Sequence, residues 1–249
     1  MTDGNPGLLE GERIDLLGRK GLRIIQNPQK FKFTMDAFLL TGFIEPKPNS
    51  RVIDLGTGGG VLPLLIAGQR EAGIIYGLEI QPELASMAAR SIALNGLTEK
   101  IHILEGDLRH LPESLKLNSF DYVVSNPPFF AANQGVISEN QALARAKFEI
   151  DCTLEDVAKS AARLVRAGGR VALIYPANRL ADLLANMTKV HLTPTRLRLV
   201  HPKPLANANL VLLEARPGAK CPLEILPPLM VYDETGEYSA EMNRIFHGE

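Results

Sequence analysis

The stretch Val52-Ile-Asp54-Leu-Gly56-Thr57-Gly58-Gly-Gly60-Val-Leu-Pro63 places a glycine-rich turn between a β-type run and an apolar segment of helical length. Glycines in such a turn let the backbone approach a ligand closely, and the N-terminus of the following helix faces that ligand. Glu79 ends the next β-type run, where an acidic side chain can hold ribose hydroxyls. The turn and Glu79 together predict a nucleotide site and leave open whether the ligand is a dinucleotide or S-adenosylmethionine.

Two further acidic residues favour S-adenosylmethionine. Asp54 precedes the glycines, where a carboxylate would repel a pyrophosphate and would suit the positively charged amino-acid end of S-adenosylmethionine. Asp107 ends the third β-type run and can either accept a hydrogen bond from an adenine amino group or merely cap the loop after the strand. All of these strand ends are expected at the carboxyl edge of one sheet, where doubly wound folds bind ligands.

The run Ser125-Asn126-Pro127-Pro128-Phe129-Phe130 follows a fourth β-type segment, 120–124. The prolines fix φ and carry no N–H, so the neighbouring carbonyls are held rigidly. Asn126 adds a side-chain acceptor, and Phe129 adds a flat face. We expect a slot for a planar group that carries an amino group; the alternative is an ordinary turn, because Asn-Pro often opens turns.

From residue 51 onward, strand-like and helix-length segments alternate, which predicts a parallel sheet with helices on both faces. Thr153, with Asp156 three residues later, predicts a helix N-terminus close to a capping box. The last two strand-like segments, 196–200 and 208–215, have no helix between them and are expected to pair as an antiparallel hairpin at one edge. The predicted fold is α/β, a Rossmann-like doubly wound seven-stranded sheet, mostly parallel with an antiparallel edge strand.

Composition restricts the class of protein. The chain has 249 residues, 45% hydrophobic and 22% charged, as in a soluble globular protein. No apolar run approaches the roughly 20 residues of a membrane helix, and no secretory signal begins the chain, so we expect a cytoplasmic protein without a membrane partner. Cys152 and Cys221 lie far apart, and the histidines show no ligand spacing, so no metal site is expected.

The domain division expected from the sequence is a cap segment 1–50, a main domain 51–220 and an acidic C-terminal extension 221–249. The formal net charge is −1, but residues 19–32 and 196–203 are locally basic. Such patches can bind a phosphate backbone, or they can simply be solvated faces.

The chain resembles the class I S-adenosylmethionine-dependent methyltransferases with an Asn-Pro-Pro-aromatic motif, which methylate planar nitrogens. It resembles most closely the bacterial tRNA1(Val) (adenine-37-N6)-methyltransferases. Beyond the turn and the motif, the similarity covers segments 21–26, 31–40, 200–209 and 228–238.

This resemblance implies a role for each candidate residue. Asp54 and Gly56 would hold the methionine portion of the cofactor, Glu79 its ribose and Asp107 its adenine. Phe33 and Asp36 would form a lid, although Phe33 could equally be a core aromatic. The remaining cofactor contacts would be Thr57, Gly58, Ile80, Leu108 and Asn126, and the catalytic residues would be Asn126, Pro127, Pro128 and Phe129.

The implied substrate is tRNA, bound through its anticodon loop by a monomer. The alternatives are an rRNA guanine-N2 or protein-glutamine N5 methyltransferase, an NAD-dependent dehydrogenase and a non-catalytic RNA-binding module. A dehydrogenase would leave Asn126 to Phe129 without a task, and the intact motif set argues against a module without activity.

Overall fold

The computed structural model describes residues 7–18, 21–28, 35–127 and 152–247. Its strands are β1 (Arg13–Leu17), β2 (Leu22–Gln26), β3 (Val52–Leu55), β4 (Ile75–Glu79), β5 (Ile101–Glu105), β6 (Phe120–Ser125), β7 (Val165–Pro176), β8 (Leu192–His201), β9 (Leu210–Pro217), β10 (Glu224–Ile225) and β11 (Leu229–Met230). Its α-helices are α1 (Asp36–Phe43), α2 (Val61–Gln69), α3 (Pro82–Leu94), α4 (Leu154–Leu164), α5 (Leu180–Lys189) and α6 (Ala240–His247).

The central sheet has the strand order β10-β8-β9-β7-β6-β3-β4-β5, and β11 also pairs with β8. Strands β3 to β7 pair in parallel, whereas β9 is antiparallel to both of its neighbours, β7 and β8. The predicted doubly wound sheet and the antiparallel hairpin are confirmed. The described sheet has nine strands rather than seven because two short strands of the C-terminal extension pair with β8. The antiparallel strand lies two positions inside the edge, because β9 inserts between β7 and β8 and the short strands β10 and β11 pair with the outer side of β8.

Each face of the sheet is covered by its own set of helices. Helices α1, α2, α3 and α6 contribute to the core on one face, with Leu40, Leu64, Ile92 and Met242 among the buried residues. Helices α4 and α5 cover the other face. The central strands are therefore buried on both sides, as their nearly continuous apolar sequences require.

Helix α4 begins as its sequence predicts. The Thr153 hydroxyl accepts a hydrogen bond from the Asp156 amide at 3.2 Å, and the Asp156 carboxylate accepts one from the Thr153 amide at 3.0 Å. This reciprocal capping box satisfies two amides that would otherwise lack partners in the first turn.

The hairpin β1–β2, which the sequence does not predict, packs against α3. The Ile25 amide donates to Ser91 Oγ at 3.0 Å, and the Arg23 amide donates to Asn95 Oδ1 at 2.9 Å. At the other end of the chain, Phe246 of α6 contacts Phe38 of α1 edge to face, with ring centroids 4.8 Å apart. Across the described ranges, no helix combines the length and apolarity needed to cross a membrane.

Candidate active site

The glycine-rich turn connects β3 to α2 at the carboxyl edge of the sheet. Gly56, Gly58 and Gly60 have φ of 74°, 55° and 82°, left-handed values that glycine adopts without strain. The Gly56 and Thr57 amides donate to the Leu78 carbonyl at 2.9 and 3.0 Å, which ties the turn to β4. A Cβ placed on Gly56 would meet no atom within 4 Å, so the turn leaves open space beside its backbone.

Glu79, the last residue of β4, is only 2% exposed and is bonded to this turn. Its Oε2 accepts from the Gly58 amide at 2.8 Å, and its Oε1 accepts from the Gln81 amide at 2.9 Å. Burial raises the pKa of the Glu79 carboxyl, and the backbone hydrogen bonds lower it in part. Because each carboxylate oxygen can accept more than one hydrogen bond, Glu79 can still accept from the hydroxyls of a ligand.

Asp54 lies near the end of β3 with its side chain 1% exposed. Neither of its carboxylate oxygens has a hydrogen-bond partner among the described residues, and neither does the buried Thr57 hydroxyl. Burial raises the pKa of Asp54 from 3.8 to about 7; the proximity of Thr57 lowers it in part, and the charge of Glu79 raises it. Buried polar groups are normally hydrogen-bonded, so two unmatched acceptors at one strand end indicate a place for a donor from a ligand.

Gly77 of β4 explains how Thr57 can lie at this position. It pairs with Asp54 in the sheet, and a Cβ on Gly77 would approach Thr57 Cγ2 to 2.8 Å. The absent side chain therefore leaves the space that Thr57 occupies. A glycine inside a strand was the available sequence signal for this close approach.

Asp107 lies after β5 and caps the short 3₁₀ helix Leu108–His110. Its carboxylate accepts from the Arg109 amide at 2.8 Å and from the Arg109 guanidinium at 2.7 to 3.0 Å. These hydrogen bonds from Arg109 are the main cause that lowers the pKa of Asp107. Leu108 packs partly buried against the core beneath α4, and its carbonyl accepts from Ser160 Oγ at 2.5 Å. Asp107 therefore caps the loop after β5, and its ionised carboxylate lies at the same edge of the sheet.

Asn126 and Pro127 follow β6, next to the end of β3. The hydroxyl of Ser125 donates to the Leu55 carbonyl at 2.7 Å, which joins the two strand ends. Asn126 is half-buried and Pro127 is buried. On the other side of β3, Ile80 follows Glu79 with 42% of its surface exposed, a bare apolar side chain beside the acidic residues.

Three predicted site residues, Phe33, Pro128 and Phe129, lie outside the described residues. Asp36 is the first residue of α1 and half-buried. Sequence reasoning gave no role to Arg109 or Ser125. Arg109 donates hydrogen bonds to the Asp107 carboxylate, and Ser125 joins the end of β6, just before Asn126, to the end of β3. Both carry a usable signal: an arginine two residues after a strand-end acid, and a serine at the buried end of a strand.

The basic stretch 196–203 differs from its expected role as a free phosphate-binding patch. Arg196 is 16% exposed and donates to the Phe43 carbonyl at 2.9 Å. Arg198 donates to both carboxylate oxygens of Glu241, at 2.6 and 2.8 Å, and joins α6 to the sheet. These two arginines are thus engaged in hydrogen bonds within the protein, whereas Lys203 is exposed in the loop after β8.

Comparisons with known proteins identify the domain and the family. A family model described as a methyltransferase domain matches residues 46–203. A tRNA1(Val) (adenine(37)-N6)-methyltransferase of Porphyromonas gingivalis is 31% identical over 240 residues, 93% of each chain. One of the same name from Haemophilus influenzae is 26% identical over 211 residues, covering 79% of this chain and 89% of the relative.

Solved structures show the fold. One described as a predicted O-methyltransferase from Agrobacterium tumefaciens has a TM-score of 0.69 at 22% identity, over 85% of this chain and 95% of that chain. Geranyl diphosphate C-methyltransferase from Streptomyces coelicolor, solved with S-adenosyl-L-homocysteine, has a TM-score of 0.52 at 13% identity, over 73% of this chain and 77% of that chain. Because the sequence similarity to the first relative extends over nearly the whole chain, this protein belongs to the family of tRNA1(Val) (adenine(37)-N6)-methyltransferases.

Proposed function

We propose that this protein transfers the methyl group of S-adenosylmethionine to N6 of an adenine in tRNA, and that the adenine is adenosine 37 of a valine tRNA. The observation that carries the proposal is the unmatched, buried Asp54 carboxylate beside Glu79, with Asn126 and Pro127 at the adjacent strand end. Family membership supplies the substrate, since the relatives are named for it.

The residues fit S-adenosylmethionine better than a dinucleotide. Asp54 would accept from the ammonium group of the methionine portion, beside the open space at Gly56. Glu79 would hold the ribose hydroxyls, Asp107 would accept from the adenine amino group, and the exposed Ile80 side chain would pack against the adenine. A pyrophosphate at the glycine turn would instead face Asp54, and a buried acid repels an anion. Thr57, Gly58, Leu108, Asp36 and Phe33 complete the proposed cofactor contacts.

When bound, S-adenosylmethionine supplies an electrophilic sulfonium methyl group. The amino group of adenine is a weak nucleophile because its lone pair is delocalised into the ring. The Asn126 side-chain oxygen and the Pro127 carbonyl would accept hydrogen bonds from its two N–H groups and favour a pyramidal nitrogen. The nitrogen lone pair would form the new N–C bond as the methyl–sulfur bond breaks, with S-adenosylhomocysteine as the leaving group, and the nitrogen would then lose a proton to solvent. Positioning and electrostatics supply the rate, with Phe129 stacking on the base and Pro128 stiffening the turn.

The finer features of the function are also proposals. The target base lies in the anticodon loop, where it can be turned out of the stack at low cost. We propose that the protein acts as a monomer in the cytoplasm and without a metal ion. The described residues contain no group of three or more His, Cys, Asp or Glu that could hold one. We retain the cap 1–50, the methyltransferase domain 51–220 and the extension 221–249 as the proposed domains.

The test is methyl transfer from labelled S-adenosylmethionine to unmodified valine tRNA, followed by digestion and identification of the nucleoside. N6-methyladenosine mapped to position 37, and lost when that adenosine is replaced by guanosine, is the expected result. Labelling of guanine N2 in rRNA, or of a protein glutamine, would refute the tRNA assignment.

Asn126→Ala tests the site itself. It should reduce methyl transfer at least about 100-fold, because one preorganised electrostatic contact is lost. Binding of S-adenosylhomocysteine, measured by calorimetry, should persist. Loss of cofactor binding in this variant would count against the role assigned to Asn126.

A further inference from the structure

The loop between β8 and β9, residues 202–209, lies at the same edge of the sheet as Asn126. Ser125 of β6 pairs with Leu173, but β7 continues three residues further to Pro176. At roughly 3.3 Å per residue, β7 therefore extends about 10 Å beyond the level of Ser125. Both Pro176 and Val200 pair with Leu210 of β9, so the loop is at the top of this extension. The loop therefore projects beyond the edge at which Asn126 lies, on the side of β7 away from β6.

The loop is held in one shape by its own hydrogen bonds. The His201 ring lies with Nδ1 2.7 Å from the Ala206 carbonyl, and the Ala206 amide donates to the Lys203 carbonyl at 3.2 Å. At the end of the loop, the Asn209 amide donates to the Val200 carbonyl at 3.0 Å. The position of the residue at the tip is consequently set by the fold.

That residue is Leu205, and it is unusual in two independent ways. It is 104% exposed, the highest value among the large hydrophobic residues that are exposed in the described ranges. Its φ is +63°, and the other non-glycine residues with positive φ in those ranges are Asn49, Asn118 and His191. Asparagine and histidine tolerate this conformation far better than a bulky residue such as leucine. A hydrogen-bonded loop thus holds a large apolar side chain in solvent, in a backbone conformation unfavourable for it.

We propose that Leu205 is an apolar wedge that packs against a nucleobase adjacent to the target adenosine. The proposal rests on the proposed function. Turning a base out of a stack leaves its neighbours with an uncovered face, and apolar side chains fill such steps in nucleic-acid complexes. The surroundings of Leu205 suit RNA, because Lys203 and Asn207 are exposed on the same loop and offer a cation and an amide to the backbone or base edges.

A pair of asparagine substitutions tests this proposal. Leu205→Asn removes the apolar side chain and keeps a residue that accepts positive φ, so the melting temperature should be unchanged or higher. Its matched control is Leu117→Asn, an exposed leucine (43%) in the turn before β6, at the opposite edge of the sheet. Leu205→Asn should weaken tRNA binding about tenfold, the size of one lost base contact. Leu117→Asn should leave it unchanged, and both variants should bind S-adenosylhomocysteine as the wild type does.

A site-specific readout uses an anticodon stem-loop RNA with 2-aminopurine next to position 37. Wild-type protein should change its fluorescence on binding, and Leu205→Asn should lose most of that change at saturating protein. Equal tRNA affinity and equal fluorescence in the wild type and Leu205→Asn, or an equal loss in Leu117→Asn, would overturn the proposal.

Direct binding also separates this proposal from the methyl-transfer assignment. A wild-type protein that binds the RNA without methylating N6 would refute the proposed function, and the ratio of affinities would still decide the role of Leu205. A wild-type protein that binds no RNA would overturn both.

Discussion

Asp54 and Glu214 are equally buried, each 1% exposed, but their surroundings are opposite. Glu214 of β9 accepts a short hydrogen bond from the Tyr122 hydroxyl, and the guanidinium groups of Arg170 and Arg196 lie 3.4 and 3.9 Å away. Asp54 has no partner among the described residues. A buried carboxylate is tolerated when it is paired, so Glu214 is satisfied within the protein, whereas we propose that Asp54 is satisfied by a ligand.

The positions of the two acids in the sheet explain the difference. Glu214 lies inside β9, directly opposite Arg196 of β8, where cross-strand neighbours are fixed by the register. Asp54 lies one residue before the end of β3, and its neighbours in the register, Gly77 of β4 and Val124 of β6, have no side-chain hydrogen-bond donor. Burial alone therefore does not identify a ligand site in this molecule. The proposed cofactor site rests instead on unmet hydrogen-bonding capacity at the carboxyl edge.

The largest effect on stability is expected from Glu214→Ala. Removing this buried carboxylate leaves the half-buried guanidinium groups of Arg170 and Arg196 without it, and breaking a buried ion pair from one side costs about 3–5 kcal/mol. The free energy of unfolding in urea should fall by that amount, and Glu214→Gln, which can still hydrogen-bond Tyr122, should lose less. If Glu214→Ala were as stable as the wild type, the contrast between the two acids would be wrong.

Asp54→Asn should stabilise the fold, unlike Glu214→Ala, and should greatly weaken cofactor binding. Losing a charge-assisted contact should weaken S-adenosylhomocysteine binding about 100-fold, measured by calorimetry. At pH 8 the variant should be more stable than the wild type by about 1 kcal/mol or more, because an unpaired buried carboxylate is removed. A loss of stability comparable with that of Glu214→Ala would make Asp54 structural.

The raised pKa of Asp54 predicts how the wild type responds to pH. The pKa rises from 3.8 to about 7 on folding, so between these values the folded protein keeps a proton that the unfolded chain has lost. Stability from this group is complete below about pH 4, decreases as the pH rises towards 7 and is constant above. The stability difference between Asp54→Asn and the wild type should therefore grow from pH 5 to pH 7.5.

Ligand binding should follow the ionised form of Asp54. Between pH 6 and pH 7.5 the affinity of the wild type for S-adenosylhomocysteine should increase about eightfold, in proportion to the ionised fraction. Asp54→Asn should show no such increase. A parallel increase in both proteins would assign the titration to another group.

The central fold was predictable because its signals are local. The alternation of apolar runs with helix-length segments, the glycine turn and the Thr153–Asp156 capping box each arise within a few residues. Acids at successive strand ends could also be assigned to one edge, since parallel strands share their direction. This reasoning predicted from the sequence that Asp54, Glu79 and Asp107 lie at the carboxyl edge of one sheet.

The remaining features depend on partners that are distant in sequence. Arg198 is engaged by Glu241, 43 positions away, and Arg196 by Phe43, 153 positions away, so both could be expected only as a basic patch. The hairpin β1–β2 depends on α3 for hydrogen bonds such as that from Ile25 to Ser91. The lack of a hydrogen-bond donor beside Asp54 could likewise not be predicted, because it depends on which distant residues the fold places around that carboxylate.

The smallest effect on stability is expected from Arg166→Ala. This variant tests whether burial of an ion pair, rather than pairing alone, determines its contribution. Arg166 and Arg170 both belong to β7 and both contact a carboxylate. Arg166 binds Asp121 at 2.6 Å, with the two side chains 51% and 26% exposed, whereas the partner of Arg170 is the buried Glu214. Exposed ion pairs contribute about 0–1 kcal/mol, so Arg166→Ala should lower the free energy of unfolding by less than about 1 kcal/mol, and less at high salt. Arg170→Ala, the matched control, should cost more than twice as much and should be insensitive to salt. Equal losses of unfolding free energy in the two variants would show that an ion pair contributes the same whether or not its carboxylate is buried. The contrast between Glu214 and Asp54 would then need another cause.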